Sequence, residues 1–190
     1  AIAEKYPEKL AMIHLDKNKV ERRFTFLDIK KQSARCANYF LSLGIKKGDK
    51  VMLVLKRHYQ FWFAMIALHK IGAIAIPATY QLREHDFIYR FNAAGVSAIV
   101  CTSDGDCAEI VDKVQGECPT LNLKVLVGGK REGWRDFDSE YGLFKSSFRR
   151  TPDTPSGDEP ALMFFSSGTT GNPKMVEHKH TYGLGHFLTA

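Results

Sequence analysis

The sequence predicts an α/β protein: a mainly parallel sheet with helices on both faces, preceded by a short β-hairpin. Three observations predict it. Short, mostly apolar runs, Val51 to Leu55, Ala73 to Ile76, Ala98 to Cys101 and Lys124 to Val127, recur along the chain, as strands buried on both faces require. Segments with helical spacing of apolar residues separate them. The chain has 190 residues, 44% hydrophobic and 12% aromatic, spread along its length, and so can bury a substantial core.

The elements follow in order. Ala11 to Leu15 and Val20 to Phe24 are β-prone runs joined by Asp16-Lys17-Asn18-Lys19, which reads as a hairpin. Thr25 and Asp28 then form a capping-box pattern, with Asp in place of Glu or Gln. Phe26, Ile29, Ser33, Cys36, Ala37, Phe40 and Leu43 repeat at helical spacing until Gly44. After the turn at Lys46 to Asp49, the four strands alternate with helices expected over His58 to Ile71, Glu84 to Ala93 and Asp106 to Val114. Residues 128–160 are rich in Gly, Ser, Pro and charge and read as a connection, with Trp134, Phe137, Tyr141, Leu143 and Phe144 expected to dock it. This divides the chain into an N-terminal subdomain, 1–158, and the start of a second, 159–190.

Charge and cysteine usage exclude several functions. The 27 Lys and Arg against 21 Asp and Glu leave +6, enough to attract phosphate-bearing ligands. The basic residues, however, come in scattered groups such as Lys17-Lys19, Lys46-Lys47 and Arg149-Arg150, which read as solvated surface and not as a nucleic-acid groove. Cys36, Cys101, Cys107 and Cys118 form no CxxC pair and have no zinc spacing, so free thiols in a reducing compartment are expected. The start, AIAEKYPEKL, lacks a signal core, and the apolar stretch from Phe61 to Ala78 is broken by His69, Lys70 and Gly72. A cytoplasmic protein without a membrane span is the expectation.

The chemistry is expected in the nine residues SSGTTGNPK, Ser166 to Lys174, directly behind the strand signal Ala161 to Phe165. Gly168 and Gly171 allow backbone angles closed to other residues, so successive N–H groups can face phosphate oxygens. Ser166, Ser167, Thr169 and Thr170 add donors, Asn172 and Pro173 complete the turn, and Lys174 adds a mobile positive charge. A Ser/Gly-rich surface turn has the same composition. The Walker A pattern is absent, because Pro173 and Met175 stand where it needs Gly and Ser or Thr, and GxGxxG is absent too.

SSGTTGNPK resembles the signature loop of the adenylate-forming superfamily of acyl-CoA synthetases, luciferases and peptide-synthetase adenylation domains. Phe24 to Ile29 and Leu68 to Pro77 resemble two further motifs of that superfamily, in the same order. Met175 to His178 and the segment around Gln81 are similar to its medium-chain acyl-CoA synthetase branch. The resemblance implies ATP with Mg²⁺, a fatty acid and CoA as reactants, Ser166 to Lys174 as the ATP-phosphate loop, Lys174 as its catalytic charge and Gln81 near CoA. It also implies a strand at Met175 to His178 and a helix near Thr181. The adenine, ribose and hinge motifs and the second-domain lysine are not found, so a fragment inactive by itself is expected. A non-catalytic nucleotide-binding module and an adenylation domain that loads a carrier protein stand as alternatives. His178 and His180 are read as ordinary polar residues, not metal ligands.

Overall fold

The computed structural model describes residues 2–166 and 171–189. A single helical turn, α1 (Ile2–Lys5), precedes the antiparallel hairpin of β1 (Leu10–Leu15) and β2 (Glu21–Thr25). Asp16 closes that hairpin, its Oδ1 accepting the N–H groups of Asn18 and Val20, both at 2.9 Å. Thr25 then caps α2 (Phe26–Ser42). Its Oγ1 accepts the Asp28 N–H at 3.1 Å while Asp28 Oδ2 accepts the Thr25 N–H at 2.9 Å. The capping box thus closes with Asp in the third place, and two otherwise unpaired donors at the helix start are satisfied.

The alternating region follows as expected: β3 (Lys50–Val54), α3 (Gln60–Ile71), β4 (Ile74–Pro77), α4 (Glu84–Ala94), β5 (Ala98–Thr102), α5 (Cys107–Val114) and β6 (Leu123–Val127). The connection contains more structure than its composition suggested, with β7 (Arg135–Asp136) and α6 (Phe137–Glu140). The chain ends in β8 (Pro160–Ser166), β9 (Lys174–Lys179) and α7 (Tyr182–Thr189). All seven strands from β3 onward form one sheet in the order β7-β6-β5-β3-β4-β8-β9. Every pairing is parallel except β8 with β9.

Strand β3 shows why the sheet needs two helical layers. Val51 and Leu53 face one core with Phe40 and Phe63, whereas Met52 and Val54 face the other with Phe87 and Phe91. All of these are 0–1% exposed, so the period of two fills both faces. The connection docks through Trp134, buried Phe137, the Phe137–Tyr141 stack at 4.6 Å and Phe144 against Tyr39 at 5.6 Å. Leu143 departs from the expectation and is 84% exposed. It lies in the 3₁₀ turn Tyr141–Leu143, where residues three apart share a side. Tyr141 and Phe144 therefore point inward together and Leu143 points out. Among the described residues, no helix is long and apolar enough to cross a membrane.

Candidate active site

Because β3, β4, β5, β6 and β8 run in the same direction, the loops that follow them emerge at one edge of the sheet. The chain places β4 on one side of β3 and then returns to place β5 on the other. That reversal opens a crevice at the strand ends, the usual ligand position in open α/β sheets.

The expected phosphate loop leaves this edge. Ser166 ends β8, Lys174 begins β9, and the two are paired across the antiparallel ladder, with Ser166 Oγ donating to the Lys174 carbonyl at 3.3 Å. Gly171 has φ 94°, a left-handed conformation that favours glycine at the turn into β9. Tyr89, from α4, donates its hydroxyl to the Pro173 carbonyl at 2.9 Å and so anchors the loop's returning end. The Phe165 ring lies under the Arg90 guanidinium at 5.1 Å, which ties α4 to β8 as well. Gly171, Asn172 and Lys174 are exposed, open to a ligand. Ser167, Gly168, Thr169 and Thr170 lie outside the described residues. The segment after the loop is a strand and α7 starts at Tyr182, both as the resemblance implied.

Gln81 lies in the connection from β4 to α4, at the same edge, exposed and with its N–H donating to Thr79 Oγ1 at 3.3 Å. Beside it is a cleft of 860 Å³, bordered by Lys17, Lys56, Arg57, His58, Tyr80 and Asp104. Lys56 has φ 44°, costly for a residue with a side chain, and its ammonium lies 4.6 Å from the Tyr80 ring centre. His58 Nε2 is 2.8 Å from Thr102 Oγ1 and 3.6 Å from Asp104 Oδ2. Burial lowers the His58 pKa below its usual value, opposed by Asp104 and Asp138, which favours the neutral ring. Gly128 closes the cleft's floor: a Cβ there would come 3.0 Å from Ser103 Oγ and 3.2 Å from His58 Cε1.

The two histidines beyond the loop part company. His178 packs on Phe164 and Tyr182, with ring centres at 5.6 and 4.1 Å. His180 lies past the end of β9, its N–H bonded to the Glu159 carbonyl, and faces His69 with ring centres 5.5 Å apart. Burial, and then His180, bring the His69 pKa down to about 4 against the effect of its bond to the Ala161 carbonyl. Among the described residues, no three His, Cys, Asp or Glu side chains come together to hold a metal ion.

A family model described as AMP-binding enzyme matches residues 1–189. The chain belongs to the AMP-binding enzyme family. Relatives agree within that family: the chain is 41% identical over 168 residues to a Rattus norvegicus protein named acyl-coenzyme A synthetase ACSM5, mitochondrial. That match covers 87% of this chain and 28% of the relative. A Homo sapiens relative named acyl-coenzyme A synthetase ACSM1, mitochondrial, is 36% identical over 86% of this chain and 28% of its own length. The chain therefore spans just over a quarter of the curated relatives it matches. Among solved structures, acetoacetyl-CoA synthetase from Streptomyces lividans superposes with a TM-score of 0.84 over 98% of this chain and 30% of that one, at 21% identity. An anthranilate CoA ligase in complex with anthranoyl-AMP superposes with a TM-score of 0.78 over 84% and 30%, at 22% identity. These two show the fold alone: both chains share it with this one.

The sequence reading missed the cleft residues and Tyr89. A signal was present in Lys56-Arg57-His58, three polar residues directly behind an apolar strand. Tyr89 carried none, because a tyrosine on an amphipathic helix usually serves packing.

Proposed function

We propose that the intact protein is an AMP-forming acyl-CoA synthetase acting on medium- or short-chain fatty acids. The observation that carries this reading is SSGTTGNPK seated between β8 and β9 at the switch-point edge, in a chain 41% identical to a named acyl-coenzyme A synthetase. In the first half-reaction a carboxylate oxygen attacks the α-phosphorus of ATP and the bond to pyrophosphate breaks, giving an acyl-adenylate. In the second the CoA thiol attacks the acyl carbon and AMP leaves. Lys174 and the loop's N–H groups stabilise the charge that develops on the departing pyrophosphate. The Tyr89 bond to Pro173 supports this role by holding the end of the loop from which Lys174 projects.

CoA is assigned to the same edge, beside Gln81. The adjoining cleft of 860 Å³ has the size of a small-molecule site, and Lys17, Lys56 and Arg57 suit phosphates. Mg²⁺ is assigned to the ATP phosphates, which it would partly neutralise, and the described residues of this chain are given no part in holding it. The boundary near 158 is taken as the junction of two subdomains. The four free cysteines support a reducing compartment, read as the cytoplasm; cell fractionation distinguishes it from the mitochondrion named for the relatives.

The test is ATP–pyrophosphate exchange by the full-length protein with butyrate, octanoate and benzoate, followed by thioester detection after CoA is added. Exchange that depends on a fatty acid, with thioester formed on CoA, is expected. No exchange with any acid would reject the enzyme, and an adenylate transferred only to a carrier protein would reject CoA as acceptor.

A further inference from the structure

Cys101 lies in β5 and Cys107 opens α5, with Thr102, Ser103, Asp104, Gly105 and Asp106 between them. The two sulfurs are 3.1 Å apart, in side chains 0% and 2% exposed. A disulfide requires about 2.05 Å, so an approach of about 1 Å would close the bond. The intervening loop can supply that movement: Gly105 is exposed with φ 90°, and Asp104 and Asp106 border two clefts open to solvent. Cys36 is in the core on the opposite face of the sheet, so the pair stands apart from it.

We propose that Cys101 and Cys107 are a reversible dithiol–disulfide pair, closed by a hydroperoxide and reopened by a small thiol. The Cys101 thiol is held well above its usual range, first by its bond to Cys107 and then by burial. The first attack on the oxidant is assigned to Cys107, which opens α5 directly behind the exposed residues Asp104 to Asp106, and Cys101, within β5, resolves. Cys107 sulfur takes one peroxide oxygen to give a sulfenic acid and, with hydrogen peroxide, one water. Cys101 sulfur then attacks that sulfur; the S–S bond forms, the S–O bond breaks, and hydroxide leaves with the thiol proton as a second water. Two thiols lose two electrons and two protons, and the peroxide is reduced to water.

The bond draws the first turn of α5 toward β5 and tightens the loop that holds Asp104 3.6 Å from His58. The inference does not depend on the reaction proposed above. Its test is peptide mapping of the full-length protein after native treatment with hydrogen peroxide and blocking of free thiols. The expected product joins Cys101 to Cys107, is about 2 Da lighter than the dithiol, and reverts with dithiothreitol. Cys101→Ser is expected to leave a sulfenic acid on Cys107 that dimedone traps. Two free thiols after treatment, or sulfinic acid without a cross-link, would overturn the proposal. The wild-type map gives the answer even where a variant fails to fold.

Discussion

Four of the five residues of β3 are buried, whereas five of the six residues of β9 are exposed, although both belong to one sheet. β3 is hydrogen-bonded on both sides and fills two cores; β9 ends the sheet among the described residues and carries the charged Lys174, Glu177 and Lys179. The difference separates scaffold from function. A rigid parallel centre fixes where the strand ends lie, and under the proposed function the exposed hairpin is free to offer Lys174 to a ligand at little cost to the core.

This separation predicts its largest effect at the scaffold. Phe87→Ala empties a site that is 0% exposed beside Phe91 and is expected to cost about 3–5 kcal/mol in chemical denaturation, without selectively weakening nucleotide binding by the molecules still folded. A loss confined to nucleotide binding would break the comparison.

Asp112 gives a smaller effect. It accepts from Lys124 at 2.6 Å and from Trp134 at 2.9 Å, and pairs with Arg131, tying α5 and β6 to the connection. Burial would raise its pKa, yet these bonds prevail and hold it below the usual aspartate value. The stabilisation is therefore present at neutral pH, begins to fade as pH falls below the unfolded value of about 3.9, and is lost through the lower native value. Asp112→Asn is expected to cost about 1–3 kcal/mol at pH 7 and to flatten stability against pH in the acid range. An unchanged acid profile would show that the connection is held by its aromatic residues alone.

The smallest effect is expected where the two regions touch. Tyr89→Phe removes only the hydroxyl that holds Pro173 and is expected to raise the KM for ATP about 2- to 10-fold, from a bond of about 0.5–1.5 kcal/mol, while the melting temperature stays nearly constant. A large thermal shift with unchanged KM would place Tyr89 in the scaffold.

Much of the scaffold was legible because its signals are local. Apolar runs separated by helical spacing gave the order of β3 to β6, and Thr25 with Asp28 gave the start of α2. The start of α3 was less legible: His58 bonds back to the Leu55 carbonyl at 2.8 Å in a turn that holds Lys56 left-handed, and the helix begins at Gln60. Nothing in a lysine announces that conformation. Leu143 failed for a similar reason, since hydrophobicity does not say which side of a 3₁₀ turn faces water. In the candidate site, SSGTTGNPK could be singled out because its residues are contiguous, and its proposed phosphate binding rests on that pattern. The cleft could not be, because it brings together residues 55–58, 78–80 and 104, which meet through the sheet's crossover, and residues 14–18 of the separate hairpin.

The proposed function gives the first chemical step to the exposed hairpin and to Lys174 within it. It is tested most directly by ATP–pyrophosphate exchange in full-length Lys174→Ala beside wild type, at matched melting temperature. A fall of about 10²- to 10³-fold is expected, the usual loss when one stabiliser of transition-state charge is removed. Exchange within about twofold of wild type would contradict it.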